Sequence, residues 1–183
     1  MPATLTDAMQ AIAVALSLGA SALANTAVAH PMPDTEVIVD QEAQAITLTI
    51  RTSLETLGLV MREAPDNDAT LTAAEDTALR TYFAEHTRID TQNGVALPVT
   101  ITEVRLLEGH HSDIGHFEEV EIKATAPVPS GSGLILRYDG ILHEVANHRA
   151  LVYAPDGRRL GVLRFDLSKK EPNVLPLESA VRP

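Results

Sequence analysis

The sequence predicts a mainly β protein, an antiparallel Ig-like β-sandwich with one or two short helices. Three observations carry that prediction. Apolar and polar residues alternate with period two in several short runs. Pro, Gly, Asn and Asp separate those runs at fairly regular spacing. Helical periodicity with a start signal occurs once, so strands do not alternate with helices as a parallel α/β sheet would require.

The elements follow in order. Val37 and Val39 mark a first strand, and Ile46, Leu48 and Ile50 alternate with Thr47, Thr49 and Arg51 in a second. A short helical turn fits residues 54–61. Residues 72–86 form the helix, because Thr72 and Glu75 make a capping box and Leu79, Tyr82, Phe83 and His86 fall on one stripe. Asn93-Gly94 is a type I′ hairpin signal. Strands follow at 99–107 and at 119–126, where Val120, Ile122, Ala124 and Ala126 alternate with Glu119, Glu121, Lys123 and Thr125. The Pro-Ser-Gly-rich stretch 129–133 turns the chain into a strand at 133–138. Two more strands, 149–153 and 159–165, flank Pro155-Asp156-Gly157, which closes a hairpin. The β-sandwich domain spans 30–168, and residues 169–183 read as a C-terminal tail. No internal repeat is visible.

Composition narrows the function. The 183 residues hold 14 Lys+Arg against 25 Asp+Glu, a formal net charge of −11. That balance argues against a nucleic-acid binder, which needs cations for phosphates. No Cys occurs, which removes disulfide scaffolds, Cys-ligated metals and thiol nucleophiles. Residues 1–29 differ from the rest: Asp7 is their one charge, and Ala27-Val28-Ala29 ends the run in the small-x-small pattern that signal peptidase reads. A signal peptide over 1–29 is expected, although its start lacks the usual positive charge. The mature chain would begin at His30, in the periplasm or outside the cell.

The candidate chemistry rests on histidines. His110, His111 and His116 lie with Asp113 in one polar loop, a set that imidazole-loving metals would accept but that a solvated hairpin tip explains equally. His143-Glu144 and His148 look like the zinc-protease pattern H-E-x-x-H with one residue too many. Five positions apart on a helix, the two rings would differ by about 140° around the axis and could not share a metal. They could converge only if the chain turns at 145–147. His30 is the third grouping: a free terminal amine beside its imidazole chelates Cu or Ni, given one more His from His143 or His148. No nucleophile elbow, phosphate loop, dinucleotide fingerprint or EF-hand occurs, so an enzyme is not expected.

Two stretches together carry a family resemblance. His30-Pro31-Met32-Pro33-Asp34 follows the small-residue leader. Leu136-Arg137-Tyr138-Asp139-Gly140-Ile141-Leu142-His143 continues to His148-Arg149-Ala150-Leu151-Val152, with Gly161-Val162-Leu163-Arg164 beyond. Both resemble the N-terminal extracytoplasmic region of HupE/UreJ-like membrane proteins, over about residues 28–166. The membrane helices of that family, associated with nickel or cobalt handling, have no counterpart in this sequence, so transport is not carried over. The resemblance implies an exported β-rich module beside such a membrane partner, with His30, His143 and His148 at recurrent His positions. The expected function is therefore non-catalytic binding, with a divalent transition metal (Ni, Cu or Co) at His30, His143 and His148. The alternative is a purely structural or protein-interaction sandwich without metal.

Overall fold

The structure is a computed structural model that describes residues 32–65, 70–111, 115–166, 168, 171, 172 and 174–177. Residues 1–29, expected to be a signal peptide, and His30 lie outside the described residues. β1 (Thr35–Gln41) and β2 (Ala45–Ser53) open the chain, followed by α1 (Leu54–Leu57) and α2 (Ala73–His86). β3 (Thr87–Thr91), β4 (Ala96–Leu97), β5 (Thr100–His111), β6 (Gly115–Pro127) and β7 (Leu134–Tyr138) come next. β8 (Arg149–Tyr153), β9 (Arg159–Asp166), β10 (Glu171–Pro172) and β11 (Val174–Leu177) complete the described chain.

These strands make two sheets. The larger runs β10-β9-β8-β1-β2-β6-β5 and the smaller β11-β7-β3-β4. Among the described residues every pairing is antiparallel except β1 with β8. The period-two alternation acts as expected. On β2, Ile46, Leu48 and Ile50 are buried while Thr47, Thr49 and Arg51 stay half-exposed. Ile46, Leu48, Ile50 and Ile122 from the larger sheet, with Ile89, Leu134, Leu136 and Tyr138 from the smaller, join one core that also takes Leu79 and Phe83 from α2. That is a β-sandwich-like fold with two short helices. No helix among the described residues is long and apolar enough to cross a membrane.

Both helices start on side-chain caps. Ser53 Oγ accepts from the Thr56 N–H at 3.2 Å. The capping box at Thr72 is complete, with the Thr72 N–H donating to Glu75 Oε2 at 2.7 Å and the Glu75 N–H to Thr72 Oγ1 at 3.3 Å. α2 passes straight into β3 without a glycine, because Thr87 is already extended and the Asp139 N–H caps the His86 carbonyl at 3.2 Å.

Two sequence expectations need correction. The Asn93-Gly94 turn is not type I′, which requires positive φ at both central residues. Gly94 has φ 82°, whereas Ile141 is the only non-glycine with positive φ among the described residues. The Gly94 N–H bonds to the Thr91 carbonyl and the Thr91 N–H to the Val95 carbonyl, which makes a three-residue loop with one left-handed glycine. The C-terminal tail is in part sheet. β10 pairs with β9, and β11 pairs with β7 and buries Leu177. Pro172 and Pro176 fit these strands because both sit on sheet edges, where a missing N–H is tolerated. Leu175 of β11 packs over Gly161 of β9, where a side chain would leave no room.

Candidate functional site

The segment 139–148 links β7 to β8 and carries most of the chemistry-bearing residues. It turns rather than forming a helix. The His143 N–H bonds to the Asp139 carbonyl, the Val145 N–H to the Ile141 carbonyl and the His148 N–H to the Val145 carbonyl, at 2.9–3.1 Å. Ile141 has φ 66°, a costly conformation for a β-branched residue. Two contacts hold it there: its side chain is fully buried, and its N–H donates to Tyr82 Oη at 2.8 Å. Burial pushes the Tyr82 hydroxyl up to about 12, with Asp139 and Glu144 adding to the rise against the Ile141 bond, so it stays protonated. Gly140 lies against the ring and hydroxyl of the fully buried Tyr138.

This turn brings His143 onto α2. Tyr82 and His86, one helical turn apart, have ring centroids 4.5 Å apart, and His86 stacks on His143 at 4.3 Å with planes 14° apart. Asp139 orients both imidazoles. Its carboxylate oxygen Oδ1 is 2.8 Å from His86 Nδ1, and its carbonyl is 2.9 Å from His143 Nδ1. A carbonyl can only accept, so His143 Nδ1 carries the proton and Nε2 holds the free lone pair of the neutral ring. The same logic at the carboxylate puts a proton on Nδ1 of His86, so that Nε2 is the lone pair of its neutral form. Both side chains are largely covered, at 20% and 26% relative exposure, and His143 Nε2 lies 3.8 Å from Glu144 Oε1. Ligand histidines in metal sites are oriented in this way, by donating the other ring N–H to a carboxylate or carbonyl. The planes are nearly parallel, however, so as the rings stand their lone pairs do not converge on one ion.

His148 has a different environment. It is 3% exposed, and its Nε2 lies 2.8 Å from Thr35 Oγ1, which donates on to Thr52 Oγ1 at 3.1 Å. With Thr35 spending its proton on Thr52, His148 Nε2 is the donor and Nδ1 keeps the lone pair. Burial holds the imidazole below its usual range, with Asp34 opposing and Arg149 reinforcing that shift. Arg149 and Asp34 form a forked ion pair, at 3.0 and 2.6 Å, beside the start of the parallel β1–β8 pairing.

The three histidines expected to share a metal are therefore placed differently. His143 stacks on His86, His148 bonds to Thr35 in the interior, and His30 lies outside the described residues. In the His110–His116 hairpin the backbone pairs His110 with His116, but Asp113 and the side chains of that tip also lie outside the described residues. Among the described residues, no group of three or more His, Asp or Glu is arranged to hold an ion. His86 was legible only as part of a helical stripe. Its pairing with His143 spans 57 positions, and nothing local in the sequence signals it.

The fold and this loop define a β-sandwich-like domain with an oriented imidazole pair between a helix and an inter-sheet turn. No protein-family model matches the chain, and no curated protein matches it.

Proposed function

We propose that this protein is an exported, non-catalytic binding domain that takes a divalent transition metal (Ni, Cu or Co) on its 139–148 turn, in support of a HupE/UreJ-like membrane partner. One observation carries the metal reading: His143 gives its Nδ1 proton to the Asp139 carbonyl, which leaves Nε2 as a lone pair beside the exposed Glu144 carboxylate. His143 and Glu144 are the first ligands in this reading, and His86 joins them by a turn of one ring out of the stack. His148 is set aside, because its Nε2 is committed to Thr35 inside the protein. The export signal and the partner rest on the leader and on the resemblance of the 136–164 stretch. Non-catalytic binding is favoured because the Thr35–His148 contact, a hydroxyl beside an imidazole, is buried where no substrate reaches it.

Calorimetric titration with NiCl₂ and CuCl₂ tests this on protein exported with its native N-terminus. The expected result is binding tighter than 10⁻⁴ M that is lost in His143→Ala and weakened in His86→Ala. Loss on adding Met before His30, with His143→Ala unaffected, would move the site to the terminal amine. No binding tighter than about 10⁻⁴ M, worth about 5.5 kcal/mol, would leave the protein-interaction sandwich as the reading.

A further inference from the structure

The two sheets use the same charge device on their outer faces but finish it differently. On the larger sheet the ladder sets Glu36, Arg51, Glu121 and Arg105 side by side on β1, β2, β6 and β5. Glu121 is 4% exposed and accepts from both arginines. Each arginine then has a second acid: Glu36 lies 3.5 Å from Arg51, and Glu103 lies 3.0 Å from Arg105. The row alternates in sign, so each arginine sits between two acids.

On the smaller sheet, register places Arg88 of β3 directly opposite Arg137 of β7. Like charges in that position repel. Asp90, 2% exposed, relieves them: Arg88 Nε donates to Oδ1 and Arg137 Nε to Oδ2, each at 2.6 Å. Burial pushes the Asp90 carboxyl up, but the bonds from Arg137 and Arg88 and their charges outweigh it and hold the group below the usual carboxylate range. Asp90 thus stays ionised and cancels one of the two positive charges. Both arginines are anchored through Nε, their side chains remain 57% and 44% exposed, and they have no second acidic partner among the described residues. Val174, directly opposite Arg137 on β11, is exposed and forms an apolar shoulder.

We infer that Arg88 and Arg137 form an oxyanion clamp on the outer face of the smaller sheet, taking one phosphate or carboxylate group between their outward terminal nitrogens. Asp90 is the positioning residue: by holding both Nε atoms it fixes the direction of the guanidinium forks before a ligand arrives. The net charge of −11 makes an anionic surface or polyanion an unfavourable partner, while a single small oxyanion meets only the local pair. The clamp shares no residue with the metal reading and does not depend on it.

The test is calorimetric titration of the full chain at constant ionic strength set with chloride, using two probes: inorganic phosphate and a blocked glutamate peptide. Saturable binding of at least one probe is expected, with Kd near the millimolar range. Phosphate binding alone would identify a phosphate ligand, and peptide binding alone a carboxylate. Arg88→Lys and Arg137→Lys keep the charge over buried Asp90 but remove the fork, so each should weaken binding at least fivefold while leaving Tm nearly unchanged. Arg149→Lys, on the other sheet, should bind like wild type. Failure of both probes to saturate, equal loss in Arg149→Lys, or unchanged affinity in both clamp variants would overturn the proposal. Attachment only to anionic vesicles would overturn it too.

Discussion

Gly140→Ala is a sharp test of how the 139–148 turn is held. A Cβ built on Gly140 would lie 2.5 Å from Tyr138 Oη, 2.7 Å from Cζ and 2.9 Å from Cε2. An ordinary C···O approach is about 3.3 Å or more, so the overlap is roughly 0.8 Å. The ring cannot yield easily, because Tyr138 is fully buried in the core between the sheets. Relief must come from the turn that carries Asp139 and His143. Overpacking of this kind costs about 1–3 kcal/mol. Gly140 does not have positive φ, so alanine also lowers the entropy of the unfolded chain and returns about 0.4–1 kcal/mol. The net expectation is a loss of about 1–2 kcal/mol, or about 2–8 °C in Tm for a domain of this size. Gly133→Ala is the control. Its nearest neighbours are the end atoms of the Gln92 side chain, which can swing away, so a change within about 0.5 kcal/mol is expected. Thermal and urea unfolding followed by circular dichroism measure both. Combining Gly140→Ala with Tyr138→Phe, which removes the closest atom, should cost less than the sum of the single changes. Indistinguishable stabilities for Gly140→Ala and Gly133→Ala would refute the packing argument.

Stability should also respond to His148. Its folded pKa is depressed, so the unfolded chain binds the proton more readily. Stability from this group is then full above about pH 6.5 and is lost as pH falls from there through the lower folded value. Urea midpoints for wild type and His148→Gln from pH 7.5 to 5 read this out, and an equally steep acid loss in the variant would contradict it. At the start of α2, Thr72→Ala breaks the capping box and should cost about 0.5–2 kcal/mol, checked by urea unfolding. A loss no greater than in the exposed Thr81→Ala would show that the cap contributes nothing.

The sequence by itself determined the layers of this protein. Alternation at 46–51 and 119–126 marks one face of each strand as core, since successive strand side chains point to opposite faces, and Thr72 with Glu75 starts α2 where the structure starts it. Those signals span a few residues, and backbone geometry reads them locally. Tertiary structure alone decided which strands are neighbours. That choice made β1 and β8 a parallel pair, drew 174–177 into the smaller sheet despite Pro176, and placed Arg88 opposite Arg137. It also separated His148 from His143. A turn at 139–148 sends one imidazole inward to Thr35 and the other onto His86, and it needs Ile141 at positive φ, held by a Tyr82 hydroxyl 59 residues earlier in the chain. Long-range partners of this kind are selected by packing and hydrogen-bond satisfaction across the whole core. No local period encodes them.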